Sequence, residues 1–202
     1  MSEENESRRK AMKKIHDEVL TLTDSSLYKY RTENNYLPVI GEGSHEAKIM
    51  FVGEAPGRNE AKTGRPFHGH AGKILDELLA SVDIKREEVY ITNIVKDRPP
   101  ENRDPLPNEI ELYGPFLDRQ IEIIKPVVIA TLGRFSMTYI LQRLGVEELG
   151  PISALHGKIF DAETSYGKVK IVPLYHPAAA IYARALKGTL LEDFKVLKNI
   201  IT

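Results

Sequence analysis

Apolar residues fall along this chain in two kinds of run. Short segments apolar at successive positions, KIMFVG (48–53), VYITNIV (89–95), VVIATLG (127–133) and VKIVPLY (169–175), read as strands buried on both faces. Between them lie stretches with helical spacing: GKILDELLASV (72–82), NEIELYGPFLDRQIEII (108–124), SMTYILQRLG (136–145) and a last helix from Leu190 to Ile201. Strands apolar on both sides need helices over both faces. The alternation therefore predicts an α/β fold, a three-layer α/β/α sandwich around a central, mainly parallel four-stranded sheet. Upstream, Met12, Ile15, Val19, Leu20 and Leu22 recur at near-helical spacing, so residues 1–36 are expected to form an amphipathic helix and a polar, Tyr-containing connection packed on a domain of residues 37–202. RPPENRDPLP (98–107) reads as an irregular loop.

Composition narrows the function classes. With 202 residues, 42 % of them hydrophobic and 28 % charged, the chain is the size of one ordinary domain. No run approaches the roughly 18 apolar residues of a membrane span, and the opening MSEENESRRKAMKK is too polar for a signal-peptide core; a cytoplasmic, monomeric protein without membrane contact is expected. The chain has 0 cysteines, which excludes disulfides, thiolate metal sites and a cysteine nucleophile. A formal net charge of −1 gives no global basic field, so any contact with nucleic acid must use a local patch or groove.

Ligands of open α/β sheets bind beyond the carboxyl ends of the strands, and here those ends are polar. The first strand runs into GEAPG, where Gly53 and Ala55 place backbone amides beside the Glu54 carboxylate, and Pro56 fixes the turn. The segment lacks the GxxxxGK[ST] spacing of a phosphate loop. Glu54 reads either as a crevice carboxylate or as a solvated loop charge, and Glu60 either as a second crevice acid or as a helix-start charge. Phe67, in GRPFHGHAG, is either core or a ring face on which a planar base stacks for about 1 to 3 kcal/mol. Asn93 ends the second strand with an amide that both donates and accepts, as reading a base edge requires; the bland alternative is a turn residue. His176 ends the fourth strand, either as a donor to a developing anion or as a packed histidine. Each bland reading weakens once all five residues fall on one side of a single sheet.

In order and with short gaps, GEAPGRNE, GRPFHGHAGKILDELL, VYITNIVKDRPPENRDPLPNE, PFLDRQIEIIKPVVIATLGR and HPAAA resemble the successive motifs of family 4 uracil-DNA glycosylases, from about Leu37 to about Asn199. The resemblance implies the same α/β/α fold, uracil-containing DNA as partner, and hydrolysis of the bond between uracil and deoxyribose to leave an abasic site. It assigns Glu54 to positioning water or stabilising the sugar cation, Glu60 to the C5 side of the base, and Phe67 to stacking. Asn93 would read the N3 and O4 edge, His176 would donate to O2, and Asn102 would lie near the catalytic groups. Residues 178–187 correspond to the loop that enters DNA, with Arg184 and Lys187 as phosphate or gap-filling contacts. The chemistry is consistent with this. Uracil leaves as an anion while the sugar gains cationic character, so one carboxylate and one donor suffice and no cofactor or metal is needed.

The chain departs from the family at its cysteines. Four of these ordinarily hold a [4Fe-4S] cluster, whereas here Asp97 stands at one ligand position, Tyr113 at another, and the first pair would fall between Ser25 and Arg31. Replacement by packing, with Tyr113 and Tyr28, is the expectation. His68 follows the stacking Phe where the family has a small apolar residue, and reads either as reshaping the pocket toward hypoxanthine or xanthine or as a surface substitution without effect; the missing cysteines and the modest net charge keep open a protein that only binds damaged or single-stranded DNA.

Overall fold

The computed structural model describes residues 3–183 and 185–201. Helices α1 (Glu3–Leu20) and α2 (Ser26–Glu33) lead into strands β1 (Glu42–Gly43) and β2 (Ile49–Gly53), followed by helices α3 (Arg58–Thr63) and α4 (His70–Ser81). Then come β3 (Tyr90–Asn93), α5 (Pro107–Ile124), β4 (Val128–Leu132), α6 (Arg134–Arg143), α7 (Ile152–Leu155), β5 (Phe160–Thr164), β6 (Gly167–Leu174), α8 (Ala179–Tyr182) and α9 (Ala185–Ile201). The sheet runs β1-β3-β2-β4-β6-β5.

The four expected strands form its parallel centre, β3-β2-β4-β6. Two antiparallel edges bring the total to six strands, so the sheet is larger and more mixed than the sequence pattern predicts. The reason is local. β1 is two residues long, and β5 (FDAET) alternates buried and exposed positions, because an edge strand packs on one side only.

Along the central strands side chains alternate between two cores. Met50, Val52, Ile129, Val169 and Ile171 meet α1, α2, α5 and α6. Ile49, Phe51, Val128, Ala130, Val172 and Leu174 meet α4 and α9 through Leu75, Leu78, Leu190, Phe194 and Leu197. This is the three-layer arrangement, and both faces of the sheet are dry. α1 contributes Met12, Ile15 and Val19 to the first core, while Leu20 at its end is exposed. The supposed connection after it contains α2, capped by the Ser25 hydroxyl, which accepts from Leu27 N at 3.1 Å.

A buried polar chain ties this N-terminal segment to the domain. Asp97 accepts from Tyr113 Oη at 2.7 Å and from Arg31 Nε at 3.1 Å. The phenol oxygen lies 2.8 Å from Ser25 Oγ, and since the phenol spends its only proton on the carboxylate, the serine donates. Arg31 also donates to Leu20 O at the end of α1, at 2.7 Å, and its guanidinium lies 5.1 Å from the Tyr28 ring. All four polar side chains are buried. Burial raises the Asp97 pKa to about 6, against the pull of Tyr113 and Arg31.

Removing one member of such a chain costs more than the bond itself, because the partner stays desolvated. Tyr113→Phe is expected to lower the unfolding free energy by about 1–3 kcal/mol, and Arg31→Met, which strands the Asp97 charge, by about 3–5 kcal/mol. Denaturant unfolding measures both; equal stability of Arg31→Met and the parent protein would contradict a paired, desolvated Asp97.

Candidate active site

Gly53 and Asn93 close β2 and β3 and are register partners, so their side-chain positions share one face. A Cβ on Gly53 would overlap the Asn93 amide oxygen and come within 2.8 Å of the Phe67 ring. The missing side chain is therefore what lets Asn93 and Phe67 close over the strand end. Phe67 itself has φ of 47°, a left-handed conformation unusual for a bulky residue. Its carbonyl accepts from Arg86 Nη2 at 3.3 Å, and two further features hold it there. Gly72 in α4 leaves space that a Cβ would take from the Phe67 carbonyl, and Glu60 Oε1 on α3 accepts from His68 N at 2.9 Å.

The Phe67 ring stands 5.6 Å from the His176 imidazole at an interplanar angle of 29°. His176 follows the end of β6, and its Nδ1 lies 3.1 Å from Ala178 N. A backbone N–H can only donate, so Nδ1 is the acceptor and the ring proton sits on Nε2. Burial lowers the His176 pKa to about 4, keeping the ring neutral at physiological pH. Glu54 is shifted the other way. Burial, with the Asp104 charge adding to it and Arg134 opposing, raises its pKa to about 7. Asp104 in turn accepts from Arg134 at 2.6 Å.

Asn102 arrives from the loop after β3, where Glu101 and Asn102 both adopt left-handed φ, 54° and 53°. Its amide is oriented by Arg98, whose Nε donates to Asn102 Oδ1 at 2.7 Å; an arginine cannot accept, so the oxygen faces it and the NH2 group is left over. Arg98 is held in turn by the Tyr30 and Tyr36 hydroxyls at 3.0 and 3.2 Å.

Glu54, Ala55, Glu60, Phe67, Asn93, Asn102 and His176 line one cleft of about 450 Å³, together with Pro56, Gly57, Pro99, Arg103 and Ala178. Gly53 lies beneath it. Lys187 instead forms an exposed ion pair with Glu77 at 2.7 Å, and Arg184 lies outside the described residues. His68 and His70 are exposed. Sequence reasoning missed Arg98, Arg103 and Asp104, of which Arg103 also makes a two-pronged contact to Glu109, and it gave no role to Arg134, which follows Gly133 after β4. The available signal was the run of alternating charges among the prolines of RPPENRDP, which buried partners turn from loop filler into scaffold.

An α/β/α sandwich with an acid, an aromatic face, an amide and a neutral imidazole at the strand ends defines a class before any comparison. The family model for the uracil DNA glycosylase superfamily matches residues 40–195, and the chain belongs to that family. It is 45 % identical over 191 residues to a type-4 uracil-DNA glycosylase of Sulfurisphaera tokodaii, covering 94 % of this chain and 84 % of the relative. It is 45 % identical over 183 residues to that of Archaeoglobus fulgidus, covering 91 % and 89 %, and 39 % identical over 201 residues to that of Thermotoga maritima, covering 96 % and 97 %.

Whether these residues could hold a [4Fe-4S] cluster is answered by the donor set. Asp97 and Tyr113, at positions that the resemblance gives to cysteines, bond to each other, with Ser25 and the Arg31 guanidinium completing the group. A cation and hydroxyls, without any thiolate, do not fit an iron–sulfur cluster.

The electrostatics are testable without turnover. Asp104→Asn is expected to lower the Glu54 pKa from about 7, and Arg134→Gln to raise it, read by carboxyl 13C NMR titration. A midpoint that stays put in both variants would remove these two residues as its causes.

Proposed function

We propose that this protein hydrolyses the glycosidic bond of uracil in DNA, leaving an abasic site, with Glu54 and His176 as the two catalytic groups. The observation that carries the reading is the meeting of Glu54, Phe67, Asn93 and His176 in one cleft at the strand ends, and the similarity to type-4 uracil-DNA glycosylases supports it.

The nucleotide leaves the stack at a cost of a few kcal/mol, least when it is mispaired, and stacking on Phe67 offsets part of that. The Asn93 amide, which makes no hydrogen bond among the described residues, offers donor and acceptor to the base edge. As the bond from base to sugar breaks, electrons flow to the base, and His176 Nε2–H donates to the O2 oxygen that takes up the charge. A neutral imidazole suits this role because its Nε2–H, a very weak acid, stabilises the O2 charge by a hydrogen bond without giving up its proton. The Glu54 carboxylate stabilises the positive charge on the sugar and orients the attacking water. Glu60 spends one oxygen on His68 N and keeps the other for the cleft wall, on the side assigned to C5 of the base. Lys187, released from Glu77, and Arg184 contact DNA phosphates.

The acid limb of the rate follows from these charges. Glu54 acts as the carboxylate, so excision is expected to fall as pH drops through about 7, while His176 stays neutral until about pH 4. Single-turnover excision from a uracil-containing oligonucleotide, with abasic sites cleaved by alkali, should show that limb. Glu54→Gln should flatten it and slow the reaction about 100-fold or more. A wild-type rate independent of pH across the neutral range would remove Glu54 as the titrating group. The same assay with hypoxanthine, xanthine and thymine separates the base specificities; tight DNA binding without release of any base would overturn the enzyme reading.

A further inference from the structure

Lys96 is a fully buried charge that the chemistry above leaves unused. It is 0 % exposed, and no carboxylate pairs with it among the described residues. Its Nζ instead meets three oxygens: Asn93 O at 2.6 Å, Gln120 Oε1 at 2.5 Å and Thr92 Oγ1 at 2.8 Å. All three are acceptors. The Thr92 hydroxyl proton goes to Ile40 O at 2.6 Å, and the Gln120 NH2 group donates to Ile40 O and to Tyr90 Oη, so its oxygen is the end that faces the lysine. Three acceptors match the three N–H bonds of an ammonium and leave no place for the lone pair of a neutral amine. Burial pulls the Lys96 pKa well below its ordinary value, and the three oxygens work against that pull.

The location gives the contact its consequence. The turn after β3 is pinned by Ile94 N to Gly53 O and Val95 N to Glu54 O, both at 3.0 Å, and Lys96 Nζ closes it back onto Asn93 O. The strand-end carbonyl of Asn93 is thus fixed from behind while the amide of the same residue faces the cleft.

We infer that Lys96 is a positioning residue for base recognition: its three-way contact to Asn93 O, Thr92 and Gln120 holds the end of β3 in the orientation that presents the Asn93 amide to the base. The inference rests on the reading of Asn93 as the residue at the base edge. A structural lysine alone would stabilise the fold without specific coupling to Asn93, and that difference can be measured.

The experiment is a double-mutant cycle on the full chain, reading single-turnover uracil excision at saturating enzyme beside thermal unfolding. Lys96→Met keeps the stem and removes the donors; it is expected to slow excision about 100-fold in the parent protein and by less than about threefold once Asn93→Ala is present. Thr92→Val removes one of the three acceptors without creating a cavity, and serves if Lys96→Met does not fold. It should slow the parent protein measurably and leave Asn93→Ala unaffected. Slowing by the same factor in both backgrounds, for whichever variant is folded, would overturn the role of Lys96. Asn93→Ala with parental rates would instead overturn the base-edge reading itself, so the two failures are distinct.

Discussion

The cleft depends on one close approach, the passage of Asn93 and Phe67 over the bare Cα of Gly53. Parallel pairing puts positions 53 and 93 side by side on one face, and because the Asn93 amide and the Phe67 ring lean over position 53, a Cβ there would overlap the amide oxygen and lie 2.8 Å from the ring. With glycine at 53, an aromatic ring and an amide come within a base's width of each other. The energetic cost is carried elsewhere, in the left-handed backbone of Phe67, and it is met by the space at Gly72 and the Glu60 bond to His68 N.

Burial then does the electrical work. The same desolvation acts with opposite sign on the two catalytic candidates, raising Glu54 to about 7 and lowering His176 to about 4. The result is an acid poised to be ionised near neutrality beside an imidazole that stays neutral. Beneath the cleft, two buried polar groups brace the loop after β3: Lys96 at its start, and Asp97 with Arg31, Tyr113 and Ser25 one residue on. That second group also anchors α1 and α2, so the chain fastens this loop with hydrogen bonds and a buried ion pair, with Asp97 and Tyr113 at positions that the resemblance gives to cysteines.

The parallel centre of the sheet was legible because strands dry on both faces are apolar at successive positions, and Glu54, Phe67, Asn93 and His176 were legible because they follow or end those strands or sit in glycine-punctuated turns, whereas Asn102, in the proline-rich loop, was reached only through the family resemblance. The edge strand Phe160–Thr164 was not, since Asp161 and Glu163 on its open side dilute the apolar signal, and α2 hid in a stretch whose buried residues are only Leu27 and Arg31. Lys96 and Arg98 were illegible as scaffold for a different reason. A lysine or arginine beside prolines reads as a solvated charge until a fold supplies three oxygens, or two phenols and an amide, to receive it. Lys187 shows the converse: a charge expected at DNA is engaged by Glu77 on the neighbouring helix.

The most direct test is a crystal structure of Glu54→Gln bound to an oligonucleotide containing one deoxyuridine. An everted uracil is expected in the cleft, its face on Phe67, its N3 and O4 edge on the Asn93 amide, and its O2 within hydrogen-bonding distance of His176 Nε2. A uracil left stacked in the DNA would contradict eversion into the cleft, and one seated there with O2 turned away from His176 would contradict the assignment of His176 as the donor to the leaving base.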